Sequence, residues 1–272
     1  VELVAESVPV ELNGRGYRGS LRVSSERGKL RIVNVVDVEG YVCGVVPCEV
    51  VPSWSAEALK AQAVAARSYA LVKMEKTAAQ PYDVVATVYD QKYGGLDVET
   101  AATNAAVAAT AGQVLYYRGQ PFTAWYHACC GGATADAAQV FNEPSPPQRG
   151  SPCGYCSKAP VYRWTTRMKG ADVAARLGVR DLVGLSTQGV GLDGRVAQVV
   201  VHRAAGTTLP VTGLRFRERL GLRSTRFEIK ADGDCFVFEG RGWGHGVGMC
   251  QWGARGMAQK GYGYKRILNH YY

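Results

Sequence analysis

"YVCGVVPCEVVPSWSAEALKAQAVAARSYAL", residues 41–71, decides how this chain is built. Its second half is a run of strong helix formers behind Ser55, a good N-cap residue, with Glu57 suited to the positive end of the helix dipole. Leu59, Ala63 and Arg67 recur at spacing four, so they share one stripe. The alanines around that stripe let another backbone come close, which turns Arg67 towards the fold, where it needs an acceptor. The first half carries Pro47 and Pro52, which break regular structure and set Glu49 on an irregular connection. A carboxyl in a partly apolar cleft is held protonated nearer neutral pH and can donate that proton, as glycosidic-bond cleavage requires. Residues of this kind equally suit a loop glutamate at the entrance to the next helix, and both readings stand at this point.

Outward from that stretch, residues 7–12 and 19–46 alternate apolar and polar side chains, with a turn at Gly28, and read as strands. A second alanine-rich helix covers 99–111, and "GQVLYYRGQPFTAWYHA" reads as a hairpin turning near Gly119, Gln120 and Pro121. Residues 131–160 form a Gly, Pro and Ser-rich loop. A short helix at 170–178, strands near 194–203, 226–231 and 235–239, and a helix near 254–270 complete the chain. The predicted class is α+β: a β-rich core, an alanine-rich helix on the catalytic side and a C-terminal helix, in one domain over 1–272 with a metal-binding loop subregion at 127–160.

The 272 residues carry a formal charge of +9, which favours anionic partners. The arginines are scattered and no aromatic-interleaved motif surrounds them, so nucleic acid is not expected. No run of about eighteen apolar residues occurs, and residues 1–10 lack a basic-then-apolar leader, so neither a membrane anchor nor a signal peptide is read here.

Two further constellations carry chemistry. In "EGRGWGHGVGMCQWGARGMAQKG", residues 239–261, alternate glycines leave open backbone around Trp243, His245 and Trp252, which suits a sugar cleft and does not match a dinucleotide fingerprint. "HACC" at 127–130 with "CGYC" at 153–156 matches tetrahedral zinc spacing: His127, Cys129 or Cys130, Cys153 and Cys156. Adjacent cysteines seldom both bind one ion, so one of that pair is spare. A disulfide framework is the competing reading. "YDQKYGG", residues 89–95, offers Gln91 and Tyr93 to a polymer cleft, although a turn explains it equally well.

Together these motifs resemble the stage II sporulation protein D family, which includes amidase-enhancer proteins. "GYVCGVVPCEVVPSWSAEALKAQAVAARSYAL", "YDQKYGG", "AWYHACCGGATA", "TGLRFRERLGLRSTRFEI" and "GRGWGHGVGMCQWGARGMAQKGYGYKRILNHYY" occur in the family's order from about residue 20 to the end. The resemblance implies a lytic transglycosylase that cleaves peptidoglycan glycan strands, with Glu49 as catalytic acid and His245, Gln91, Tyr93, Trp243 and Arg67 as substrate-binding candidates. It implies a structural zinc ion on His127 and the nearby cysteines. The implied partners are glycan strands, a cell-wall amidase and membrane proteins of an engulfment complex, in an extracytoplasmic setting. A non-catalytic, wall-binding amidase enhancer is the alternative within the same family. Positions 48 and 250, commonly small residues such as serine in the family, are cysteine here. That leaves Cys48–Cys250 and Cys43–Cys235 pairings, or free thiols, open.

Overall fold

The structure is a computed structural model of the chain, describing residues 2–4, 9–191 and 193–272. Positions 7 and 8 of the first expected strand lie outside the described residues. The fold is mixed α+β, as predicted, and the chain divides into two compact units, Val1–Ala124 with Gly261–Leu268, and Trp125–Lys260 with Asn269–Tyr272.

The first unit opens with β1 (Glu2–Val4), β2 (Val10–Leu12), β3 (Arg15–Tyr17), β4 (Ser20–Glu26) and β5 (Lys29–Val35). The β4–β5 hairpin turns at Arg27 and Gly28, both at positive φ, and β1 adds to it antiparallel. Beyond Val35 the expected strand does not continue. Residues Val38–Glu49 form helix α1, with Pro47 inside it and Glu49 as its last residue. Two local facts override the β-branched composition. Asp37 caps the helix by accepting from the Gly40 amide at 2.9 Å. Gly40 and Gly44, four apart, make a face without side chains, which other parts of the fold fill. Burial of Tyr41, Val42, Val45 and Val46 on the packed helix then outweighs their strand preference.

Helix α2 (Ala56–Thr77) matches the predicted span, and its alanines and Val64 are buried along nearly its whole length. It packs against α1 and against α3 (Ala101–Ala108), which begins with a capping box between Thr100 and Thr103. The short hairpin of β6 (Tyr116–Tyr117) and β7 (Gln120–Pro121) turns at Arg118 and Gly119.

In the second unit, β8 (Tyr126–His127) precedes α4 (Ala137–Phe141), and a loop with little regular structure runs to β9 (Arg163–Lys169). Then come α5 (Gly170–Leu177), β10 (Leu182–Val190), β11 (Val196–Arg203), β12 (Thr208–Thr212), α6 (Gly213–Leu220), β13 (Phe227–Asp232) and β14 (Cys235–Arg241). Two antiparallel sheets, ordered β10-β11-β12 and β13-β14-β9, hold a core of Val173, Leu177, Val199, Val201, Phe216, Leu220, Phe227 and Phe238. The sequence reading had no element at β9, β10, β12 or α6. The chain closes with β15 (Met249–Cys250), α7 (Gln251–Gln259) and α8 (Tyr264–Tyr271). The single C-terminal helix expected over 254–270 is therefore two, separated where Gly261 takes a φ of +84°. No helix of the described residues is long and apolar enough to cross a membrane.

Candidate functional site

Glu49 stands at the C-terminal end of α1, not on an irregular connection. What fixes it is the segment 90–95. Its Oε1 accepts the Lys92 amide at 2.8 Å, and two residues on the Gly94 amide donates to the Gly44 carbonyl at 3.1 Å. The segment thus docks main chain to main chain on the last turns of the helix. A Cβ at Gly44 would meet the Tyr93 ring at 2.4 Å, so glycine is required there. Tyr93 stacks on Tyr41 with ring centroids 5.2 Å apart and donates its hydroxyl to Asn34 Oδ1 at 2.6 Å. Burial pushes both phenols up from their ordinary value, and the charge of Glu49 adds to the effect at Tyr41.

Gln91, expected to face a polymer, is 0% exposed: it accepts the Tyr41 hydroxyl and donates to the Ala66 carbonyl. Its role in this structure is to support Tyr41. Arg67 is 1% exposed and also points inward, where its acceptor is Glu39, in the first turn of α1, with contacts of 2.8 and 2.7 Å from Nε and Nη2. The same guanidinium donates to the carbonyls of Gln113 and Val107, so it ties α1, α2 and the end of α3 together. Burial would raise the Glu39 pKa, but the bonds from Arg67 and the Gly112 amide more than reverse this and lower it. Cys48, beside Glu49, is a half-buried free thiol whose pKa is pushed up by burial and then by the Glu49 charge.

In the second unit the glycine-rich stretch forms a bridge to residues 126–129. Trp243 and Cys129 exchange both amide bonds, at 3.0 and 2.7 Å, and Met249–Cys250 runs parallel to Tyr126–His127. Trp243 is 44% exposed, with the Arg223 guanidinium over its ring at 4.9 Å. His245 has both ring nitrogens engaged: Nε2 donates to the Tyr126 carbonyl and Nδ1 accepts the Val247 amide. Burial, opposed by the Tyr126 bond and assisted by Arg217 and Arg195, lowers it to about 3 and keeps the ring neutral. It is a strut of the loop.

The cysteines are arranged differently from the spacing. Cys130, Cys153, Cys156 and Cys250 lie buried with their sulfurs all within 4.8 Å of one another, a donor set that can hold a metal ion. Cys250 stands where His127 was expected. His127 Nδ1 bonds the Val247 carbonyl at 3.0 Å, leaving Nε2 buried without a hydrogen-bond partner, and burial keeps the ring well below its ordinary pKa. Cys129, also buried, interacts with Cys156 and Cys250 but stands outside the set of four whose sulfurs lie within 4.8 Å of one another. All eight cysteines are free thiols, so neither Cys48–Cys250 nor Cys43–Cys235 is formed. The signal that could have exposed Cys250 was its place in "GMCQWG": a thiol at a helix start, beside backbone amides.

The stage II sporulation protein (SpoIID) family pattern matches residues 26–117. Among curated relatives, an uncharacterised protein of Brachyspira hyodysenteriae is 36% identical over 96% of this chain and 72% of its own length. Stage II sporulation protein D of Bacillus subtilis is 32% identical over 88% of this chain and 74% of its own. The amidase enhancer of Bacillus subtilis is 32% identical over 84% of this chain but 39% of its own length. The chain belongs to the stage II sporulation protein D family.

Proposed function

We propose that this protein is a lytic transglycosylase of peptidoglycan glycan strands and that Glu49 is its acid. The observation that carries the reading is the Glu49 carboxyl fixed at the end of α1 by the Lys92 amide, 2.8 Å away. Glu49 protonates the oxygen linking N-acetylmuramic acid to N-acetylglucosamine, and that C–O bond breaks through an oxocarbenium-like state. The carboxylate so formed takes the proton of the sugar's own 6-hydroxyl, whose oxygen closes on the anomeric carbon. A 1,6-anhydro end results. Water is not the nucleophile, so a single carboxyl suffices where hydrolases use two.

In this reading the chain acts as one catalytic domain, facing the wall outside the cytoplasm, with Trp243 and Arg223 as a stacking surface for sugar rings. Tyr93, half-buried, shapes the Glu49 surroundings and His245 holds the glycine loop. The cofactor is a zinc ion in the thiol cluster. When bound it supplies cross-linking only, because a closed set of four protein ligands leaves no open position. Partners are glycan strands, a wall amidase and membrane proteins of an engulfment assembly. The amidase enhancer relative supports a second reading, a non-catalytic module that binds glycan and stimulates an amidase.

Mass spectrometry of purified glycan strands stripped of stem peptides separates them. The wild type should release anhydro-ended fragments, and Glu49→Gln should lower the rate by about 10²–10⁴, the usual share of a general acid. Full cleavage by a folded Glu49→Gln protein rejects Glu49. No cleavage by the wild type, with amidase stimulation intact, selects the second reading.

A further inference from the structure

The geometry points to a single zinc ion bound by four thiolates, with Cys250 rather than His127 or Cys129 as the fourth ligand. We infer that this ion pins the glycine-rich loop that presents Trp243. Four thiolates around one zinc at about 2.3 Å form a tetrahedron with edges of about 3.8 Å. The sulfurs of Cys130 and Cys156 are 3.4 Å apart, and all four sulfurs lie within 4.8 Å of one another. An iron–sulfur core would need its thiolates spread around a cluster several atoms across, so the set fits one ion. All-sulfur tetrahedral donors select zinc among common mononuclear occupants.

The surroundings are built for thiolates. Cys250 Sγ accepts the Cys130 and Gly253 amides, each at 3.3 Å, and Cys250 is the N-cap of α7, where the helix dipole favours an anion. Cys130 Sγ accepts the Gly132 amide at 3.4 Å. The Tyr271 hydroxyl lies 3.2 Å from Cys153 Sγ. Arg195, buried and ion-paired with Asp193 at 3.3 Å, donates to the Cys130 carbonyl at 3.1 Å and so holds the backbone of that ligand. Such outer bonds orient ligands and tune affinity. Cys250 follows the glycine loop directly, and Cys129 and Cys130 follow the strand that pairs with it, so one ion ties both sides of the Trp243 bridge.

The test uses the full chain and does not depend on the transglycosylase reading. Elemental analysis of the purified protein should give one zinc per chain, and cobalt exchange should give a tetrahedral spectrum with charge-transfer intensity of four thiolates. Cys250→Ser should lower that intensity to about three quarters and weaken zinc by more than the roughly 10–100-fold that losing an outer partner costs. His127→Ala and Cys129→Ala should leave the spectrum unchanged. In metal-free protein, amide exchange over 240–253 should accelerate. If Cys250→Ser fails to fold, the wild-type spectrum and the other two variants still decide. A three-thiolate spectrum lost in His127→Ala, an iron chromophore, or four thiols paired as disulfides without metal would each overturn the proposal.

Discussion

Arg67→Met removes a guanidinium that makes bonds of 2.7 and 2.8 Å to Glu39 and further bonds to two backbone carbonyls, from a position 1% exposed. Breaking a buried pair costs about 3–5 kcal/mol when the stranded charge stays buried. Here the Glu39 side chain is 39% exposed and keeps the Gly112 amide, so it can rehydrate and the loss falls below that range, to about 2–3 kcal/mol. For a chain of this size each kcal/mol moves the midpoint by about 2–4 °C, giving a fall of about 4–12 °C by circular dichroism. The pH dependence has a definite sign. The folded Glu39 pKa is lowered, so its contribution is complete above the unfolded value near about 4.3 and is lost as pH falls through the folded value. The gap between wild type and Arg67→Met should hold from pH 8 to 5 and narrow below about 4. A gap under about 0.5 kcal/mol at pH 7, the usual effect of a surface change, or one unchanged at pH 3, refutes the assignment of Arg67 as the clamp of α1.

Other substitutions probe the same architecture. Gly44→Ala drives a methyl to 2.4 Å from the Tyr93 ring, which should cost about 1–3 kcal/mol in urea unfolding and slow glycan cleavage together. Lys92→Pro deletes the amide that holds Glu49; losing a bond to a charged group, about 1.5–3 kcal/mol, should lower turnover at least about tenfold, whereas Lys92→Ala should not. Gly253→Ala places a methyl 2.0 Å from the Tyr271 hydroxyl and 2.7 Å from Cys153 Sγ, and should lower zinc occupancy in elemental analysis.

Helix α2 was legible because strong helix formers run along its whole length; Ser55 stands at the N-cap position without a side-chain cap bond. Helix α1 was not. Its valines and Pro47 speak for strand and break, and the facts that decide otherwise are the Asp37 cap and the packing of Tyr93 and Gly95, some fifty residues along the chain, against Gly44. The elements β9, β10, β12 and α6 escaped for a related reason: their identity rests on cross-strand pairing and on a core distributed over residues 164–238. At the site, Cys153, Cys156 and one of the pair Cys129 and Cys130 could be picked from spacing, whereas Glu49 stood open between an acid and a helix-entrance charge until the family resemblance singled it out. The inward turn of Arg67 could be read from its stripe, whereas Gln91 was recognisable as special but not as buried, since a hydrogen-bonding side chain looks alike whether it meets a ligand or the protein's own backbone. Cys250 was missed as a ligand because it is 94 residues from Cys156 and belongs to no short motif of metal spacing.

The docking of residues 92–94 on α1 has a consequence for how the protein tolerates change. Two of the contacts that set Glu49, Lys92 amide to carboxylate and Gly94 amide to Gly44 carbonyl, draw on backbone at 92, 94 and 44 that every residue except proline can supply. The address of the carboxyl is written in peptide groups. A saturation library read by glycan cleavage should therefore be permissive at Lys92, steep at Gly44 and Gly94, where added carbon strikes Tyr93 or Val98, and absolute at Glu49 alone.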